Sequence, residues 1–169
     1  MHSIKSNFST VPLQWQSISA SAIEAEQNVH RAPLYAAMLC RKSLEEWIRW
    51  IYEHDSELEM PYDDSLNALM HQQSFKELIA PNFFPQLNTI RKLGNDAVHT
   101  GKKINTIEAM HVLKLLHGFI FWVVNVYGKE RVAKPPFDES IIPSGDLAEK
   151  TREELRAIED AYQQSTEKL

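Results

Sequence analysis

Apolar residues recur at intervals of three and four through most of this chain, and this spacing constrains the fold more than any other feature. Such intervals place side chains on one face of an α-helix. The chain of 169 residues also has only five glycines, less than half of the usual ~7%, which is too few for a turn-rich sandwich or barrel. The sequence therefore predicts an all-α fold.

The periodicity predicts a bundle of five to six helices. The first spans residues 12–30 and begins at Pro12, a residue type favoured in a first helical turn. The second spans residues 33–54 and is apolar nearly all round in its second half, so we expect it to be the central helix. A polar loop follows this helix.

Two short helices are predicted next from capping signals. Asp63 or Asp64 is a plausible N-cap for the first of them. Ser74, with Glu77 three residues later, has the pattern of a capping box for the second.

Two longer helices complete the predicted bundle. One begins between Pro81 and Pro85 and ends at Thr100-Gly101. The other is capped by Asn105 or Thr106 and ends at Gly128, since glycine commonly terminates a helix.

These helices form one predicted domain over residues 1–130. Residues 131–145 are predicted to be an extended, proline-rich linker, because two adjacent prolines cannot sit inside a helix or a central strand. Residues 146–169 are predicted to form a charged helix capped by Asp146. Its apolar positions are too sparse to anchor a helix alone, so we expect it to lead into, or pack on, a further domain.

Several function classes lack their sequence signals. The single cysteine excludes a disulfide framework and a multi-cysteine metal site. No glycine-rich phosphate loop is present, and no uninterrupted apolar run reaches the ~18 residues of a membrane span. The first residues also lack the apolar core of a signal peptide. We therefore expect a cytoplasmic domain with no cofactor or metal of its own and no membrane contact.

The net charge of −5 is unevenly distributed. Residues 91–134 carry 8 basic and 3 acidic side chains, and both flanking segments are acidic. This basic island could bind the backbone of a nucleic acid, or it could pair with the acidic helices around it. The candidate nucleic-acid contacts are Arg91, Lys92, Lys102, Lys103 and Lys114.

A polar stripe of Arg91, Asn95 and His99 stands out within the island. These residues are successively four apart, so on a helix they share one drifting face. Gly94 beside them would let another helix approach closely. A His near an Arg can support metal-free RNA cleavage, the His as acid or base and the Arg holding the phosphate. The alternative is that the three side chains satisfy one another at a helix junction.

Four motifs, in this order, resemble one known family. The chain is similar to the helical N-terminal domain of HsdR-type R subunits of type I restriction enzymes, a domain grouped with the HEPN helical superfamily. The resemblance covers residues 6–128. The motifs are Ser6-Asn7-Phe8, Ala25-Glu26, Arg41-Lys-Ser-Leu-Glu45 and Ile90-Arg91-x-x-Gly94-Asn95-x-Ala97-Val98-His99.

The resemblance implies a HEPN-like bundle that serves as a non-catalytic module of a larger enzyme. In that family an endonuclease domain and an ATP-driven translocase follow this domain, so ATP and Mg would be cofactors of the parent enzyme. The implied partners are the remainder of the R subunit, the methylation and specificity subunits, and DNA. The chain would then be the N-terminal part of a longer polypeptide.

A second hypothesis also follows from the resemblance. HEPN proteins include free-standing, metal-independent ribonucleases, and here Arg91, Asn95 and His99 would meet a second copy at the seam of a homodimer. In those enzymes the Arg and the His lie closer together. Seven residues separate Arg91 from His99 in this chain, and Lys92 follows the Arg. We therefore carry over the fold and the polar stripe, and keep catalysis as the alternative.

Overall fold

The computed structural model describes residues 5–99, 102–144, 156–161, 163 and 164. No strand occurs among these residues, so the predicted all-α fold is confirmed. Residues 156–161, 163 and 164 are also helical. The α-helices are α1 (Ala20–Asn28), α2 (Pro33–His54), α3 (Leu66–His71), α4 (Gln73–Leu78), α5 (Phe83–His99) and α6 (Thr106–Tyr127), and 3-10 turns occur at Leu13–Trp15 and Glu139–Ile141.

The central helix of the bundle is α2, as predicted, and its bounds match the predicted residues 33–54. Pro33 occupies the first turn, where its missing N–H costs no hydrogen bond. Trp47, Ile48 and Ile51 are fully buried, because α2 packs against α1, α5 and α6.

The most apolar long helix is α6, and its ends confirm the predicted caps. The Asn105 side chain accepts a hydrogen bond from the Glu108 N–H (2.8 Å) in a capping box. Gly128 closes the helix by donating its N–H to the Val124 carbonyl (2.9 Å). By length and composition α6 could span a membrane, but 61% of its most apolar window is buried inside the bundle. Its apolarity therefore reflects its place in the core.

The predicted helix over residues 12–30 is divided in two, which corrects the prediction. Pro12 leads into the 3-10 turn Leu13–Trp15, and α1 begins only at Ala20. The Ser19 hydroxyl donates to the Trp15 carbonyl (2.9 Å) between the two pieces. Serine side chains compete for backbone groups in this way and weaken a continuous helix.

The caps of the two short helices also differ from the prediction. Ser65, not Asp63 or Asp64, caps α3 by accepting a hydrogen bond from the Ala68 N–H. Asp63 instead accepts from the Ser65 N–H (3.1 Å) and so holds the capping residue in place. The predicted box of Ser74 and Glu77 does not form, because α4 already begins one residue earlier, at Gln73.

Residues 131–144, called here the strap, are extended apart from the turn Glu139–Ile141. The strap packs on the bundle. Asn125 fixes its start, since the Asn125 amide exchanges hydrogen bonds with the backbone N–H (2.8 Å) and carbonyl (2.9 Å) of Val132. Phe137 and Ile142 then pack on the core.

The helical residue Gln163 contacts the end of α5. The Gln163 amide nitrogen donates to the Val98 carbonyl at 2.7 Å, which satisfies a carbonyl in the last turn of α5. The predicted cap Asp146 and the predicted helix end at Thr100-Gly101 lie outside the described residues.

Candidate functional site: a cleft between α2 and α5

The two helices α2 and α5 meet at Gly94, as its lack of a side chain predicts. A Cβ atom on Gly94 would lie 2.4 Å from the Arg41 Cβ and 2.8 Å from the Arg41 Cδ. No real side chain tolerates such distances, so only glycine lets the stem of Arg41 lie flat against α5. The sequence of α5 therefore fixes the position of an arginine that belongs to α2.

Arg41 has enclosed polar atoms without partners. Its Nε and Nη1 atoms are buried and have no hydrogen-bond acceptor among the described residues. Nearly all buried polar atoms in proteins are paired, and each unpaired group costs about 1–3 kcal/mol. Other interactions in the folded chain have to offset this free-energy cost, unless a ligand that accepts hydrogen bonds from Arg41 removes it.

A second arginine lies close to Arg41. Burial, and then the charge of Arg41, lower the pKa of Arg91. The Arg91 guanidinium donates from Nε (3.2 Å) and Nη2 (2.8 Å) to the Asn88 side-chain oxygen on its own helix. A neutral amide is therefore its hydrogen-bonding partner, and no carboxylate among the described residues forms an ion pair with either arginine.

A cavity of about 340 Å³ opens beside Arg41, and we call it the cleft. This volume falls within the range of about 300–1,000 Å³ that is usual for ligand sites. Three elements contribute, namely α2, α5 and the loop before α3. Its lining residues are Arg41, Glu45, Arg49, Asp63, Asp64, Ser65, Leu66, Asn95 and His99.

The acidic residues of the cleft have partners of their own. Arg49 pairs with Glu45 and with Asp64 at 3.4 Å each, and it donates to the Asp64 carbonyl at 2.7 Å. Asp63 accepts from the Ser65 N–H. Since the carboxylates are engaged along the rim around Arg49, the positive charge of Arg41 is not neutralised by any of these pairs.

The structure places two members of the polar stripe in the cleft. Asn95 and His99 line it, and His99 is exposed. Arg91 lies one turn before Asn95 and is turned toward Asn88. Among the described residues, no hydrogen bond joins the three members of the stripe to one another. They form an open polar surface there rather than a closed network.

The candidate lysines of the basic island divide into two kinds. Lys102 pairs with Glu108 at 3.3 Å, and Lys114 pairs with Glu139. Glu108 belongs to the island itself and Glu139 to the strap, so only the second pair joins the island to an acidic flank. Lys92 on α5 and Lys103 before α6 are exposed.

The first motif of the resemblance has a structural role that its sequence did not reveal. The Ser6 hydroxyl and the Asn7 backbone and side-chain amides donate to the carboxylate of Glu26, at 2.6–2.8 Å. Asn7 also donates to the Asp138 carbonyl (3.1 Å) and accepts from the Asp138 N–H (2.7 Å). Together with His117, which contacts the Asn7 carbonyl (3.1 Å), we call these residues the latch.

His117 is the buried end of the latch. It is fully buried among Phe8, Phe121 and Phe137. Burial lowers the pKa of His117 to about 4; the contact with Asn7 opposes this shift, and the charge of Lys134 adds to it. The ring is therefore neutral at physiological pH. Histidines 111 and 117 lie on different faces, as predicted, because His111 is exposed.

Arg41 is the functional candidate that the sequence interpretation missed. Its spacing from Glu45 predicts a helical ion pair, and Glu45 instead pairs with Arg49. The signal that could have found Arg41 is Gly94, since a glycine inside a helix marks the place where another group comes close. Within the described ranges, no group of three or more His, Cys, Asp and Glu side chains could hold a metal ion.

Comparison with known proteins gives one match. A family model described as a domain of unknown function, DUF4145, matches residues 24–158. The matched span includes Arg41, Glu26 and the whole polar stripe, and it begins after the Ser6-Asn7-Phe8 motif. No curated protein and no solved structure matches the chain significantly.

Proposed function

This chain belongs to the DUF4145 family, and we propose that it is a non-catalytic helical module that contacts nucleic acid through the cleft. In this proposal it is the HEPN-like N-terminal part of a type I restriction enzyme R subunit. The ATP- and Mg-dependent translocation and DNA cleavage belong to the rest of that cytoplasmic enzyme. The module docks on the remainder of the R subunit and, through it, on the methylation and specificity subunits.

One observation carries the proposal: the enclosed, unpartnered guanidinium nitrogens of Arg41 at the cleft. A phosphate group in the cleft would contact the guanidinium group of Arg41 and would also relieve the repulsion between Arg41 and Arg91. Guanidinium groups suit phosphate because their parallel N–H groups bind two of its oxygens at once. Asn95 and the exposed His99 offer further polar contacts at the same wall.

The paired carboxylates of the rim limit how a nucleic acid can approach. Glu45, Asp63 and Asp64 lie on the α2–α3 side of the cleft, so a polyanion is favoured only along the α5 side. In this proposal the polyanion also contacts the exposed Lys92 and Lys103. The path therefore follows the basic island rather than crossing the cavity.

Binding of duplex DNA to the 169-residue chain, measured over a series of salt concentrations, tests the proposal. Arg41→Met should weaken binding and reduce the salt slope by about 0.9, the value for one lost phosphate contact. Lys102→Glu combined with Lys103→Glu should weaken it further and flatten the slope. Arg31→Met, at an exposed site away from the cleft, is the matched control. Equal affinities and slopes for wild type and all variants would rule out DNA contact.

The exposure of His99 favours a second candidate function. A histidine that was buried and hydrogen-bonded within the subunit could not serve as an acid or base, and His99 is neither among the described residues. Its place in one cavity with Arg41 allows metal-independent RNA cleavage, with the arginines holding the phosphate and His99 moving the proton at the 2′-hydroxyl.

Incubation of the chain with single-stranded RNA in a chelating agent separates the two functions. Cleavage that is lost in His99→Ala, while RNA affinity remains, would establish the ribonuclease. Binding without cleavage at any protein concentration supports the non-catalytic module. Cross-linking should show a dimer in the first case, since the ribonuclease hypothesis needs two copies of the stripe at one seam.

A further inference from the structure

A second cavity of about 490 Å³ lies away from the cleft, where the start of α5, the middle of α6 and the strap meet. We call it the aromatic groove. It lies at the opposite end of α5 from His99. None of its lining residues belongs to the cleft or to the latch, although Phe121 also packs on His117.

One wall of the groove is aromatic. Phe83, Phe119 and Trp122 form a cluster in which Phe119 and Trp122 are stacked at 5.9 Å, and Phe83 lies 5.6 Å from Trp122. Phe119 is fully buried behind the wall, whereas Phe83 and Trp122 are partly exposed and line the cavity. Packing from behind holds the exposed rings in place, so the wall is a rigid surface for a planar ligand.

The floor of the groove is open because α6 has a glycine there. A Cβ atom at Gly118 would meet only the Lys134 Nζ, at 3.7 Å. The ammonium group of Lys134, from the strap, therefore stands directly over this floor. It is exposed and has no ion pair among the described residues, unlike Lys114 nearby, which pairs with Glu139.

Two amide side chains complete the groove at the start of α5. Asn82 and Gln86 line it and make no hydrogen bond with other described residues. Each amide presents both a donor and an acceptor. The side chain of Asn125, a third lining amide, already forms hydrogen bonds with the strap. Asn82 and Gln86 are therefore the amides that can hydrogen-bond to the polar edge of a ligand.

From this juxtaposition we propose that the aromatic groove binds a nucleotide unit, with the base on Trp122 and Phe83 and the phosphate on Lys134. Stacking on an aromatic wall accepts any base, and the two amides bind its polar edge. The positive charge of the Lys134 ammonium group favours a ligand that carries an anionic phosphate. A neutral aromatic ligand would have no group to pair with it. The unit could belong to a free mononucleotide or to a single-stranded nucleic acid, which share this chemistry.

Calorimetric titration of the 169-residue chain with adenosine 5′-monophosphate, adenosine and inorganic phosphate tests the proposal. We expect saturable binding of the nucleotide, weaker binding of the nucleoside, and the weakest binding of phosphate. Lys134→Gln should weaken nucleotide binding at least tenfold and leave nucleoside binding unchanged. Lys129→Gln, at another exposed lysine, should change neither.

Gly118→Leu provides a second variant that fills the floor of the groove. It should abolish binding of nucleotide and nucleoside without lowering the unfolding temperature, because leucine favours a helix more than glycine does.

A short single-stranded oligonucleotide titrated in parallel shows whether the nucleotide unit is free or part of a strand. A higher affinity than that of the mononucleotide, lost in Gly118→Leu, indicates a strand. No nucleotide binding at millimolar concentration, equal binding of phosphate alone, or full binding by Gly118→Leu would overturn the proposal. Arg41→Met should leave this site intact, so its outcome is independent of the cleft.

Discussion

The latch and the cleft are both polar, and they differ in whether their charged groups have partners. In the latch, Glu26 accepts three hydrogen bonds, and both side-chain atoms of Asn7 are bonded to Asp138. In the cleft, the Nε and Nη1 atoms of Arg41 are enclosed without an acceptor among the described residues. Both regions withdraw a charged group from water, but only the latch pairs that group within the described chain. The neutral ring of His117 in the latch keeps one buried atom, Nδ1, without a partner among the described residues.

This difference separates a structural role from a binding role. Satisfied buried networks stabilise one arrangement of the chain, and the latch joins the N-terminal segment, α1, α6 and the strap. A cation whose enclosed nitrogens have no partner stabilises nothing by itself. The motif Ser6-Asn7-Phe8 therefore belongs to the fold, whereas Arg41 and the polar stripe are the place to look for a ligand.

The most damaging single change should be Asn7→Ala in the latch. It removes the side-chain bonds to Glu26 and to both backbone groups of Asp138, so a buried carboxylate loses part of its support. We expect the free energy of unfolding, measured by urea titration, to fall by about 3–5 kcal/mol. Asn67→Ala, at an exposed position on α3, should change it by less than about 0.5 kcal/mol. A loss below about 1 kcal/mol for Asn7→Ala would mean that the latch does not hold the strap.

Protonation of His117 should weaken the latch without any substitution. Its pKa is lowered from 6.5 to about 4 in the folded chain, so the unfolded chain binds the proton more tightly. The contribution of His117 to the free energy of unfolding is therefore complete above pH 6.5 and decreases as the pH falls toward 4. The decrease is at most roughly 3 kcal/mol.

Unfolding free energies of wild type and His117→Gln at several pH values between 4 and 7 check this expectation. The variant should lose the part of the pH dependence that His117 contributes, so the two curves should converge as the pH falls. Parallel curves would show that folding does not lower the pKa of His117.

Gly94→Ala should disturb the seam next to the cleft to a smaller extent. The added Cβ overlaps the stem of Arg41, and overpacking of this kind costs about 1–3 kcal/mol. Gly118→Ala is the matched control in another helix, where the new Cβ meets only ordinary contact distances. It should stabilise by about 0.5–1 kcal/mol. A lower unfolding temperature for Gly94→Ala and a higher one for Gly118→Ala would confirm that Gly94 is needed for the close approach of α2 and α5.

Local signals made much of the fold predictable, and distant contacts account for what was missed. The bounds of α2 and the cap at Asn105 follow from residues within one or two turns. The latch does not, because Asn7 and Asp138 are 131 positions apart and nothing local marks them as partners. Likewise the spacing of residues on α5 predicted the polar stripe. It could not predict that Arg41 of α2 joins the cleft, because Glu45, the expected partner of Arg41, pairs with Arg49 instead.

Arg41→Met should have the smallest effect on stability, and its sign is the sharpest test of the comparison. If Arg41 served the fold as the latch does, its removal would destabilise the chain by several kcal/mol. Because its buried nitrogens are unpaired, replacing them with an apolar side chain of similar length should leave the free energy of unfolding unchanged or raise it by about 1 kcal/mol. The same variant should bind nucleic acid more weakly than wild type. A gain in stability together with a loss of binding is the pattern of a residue retained for its ligand, whereas a destabilised variant with unchanged binding would place Arg41 with the structural residues.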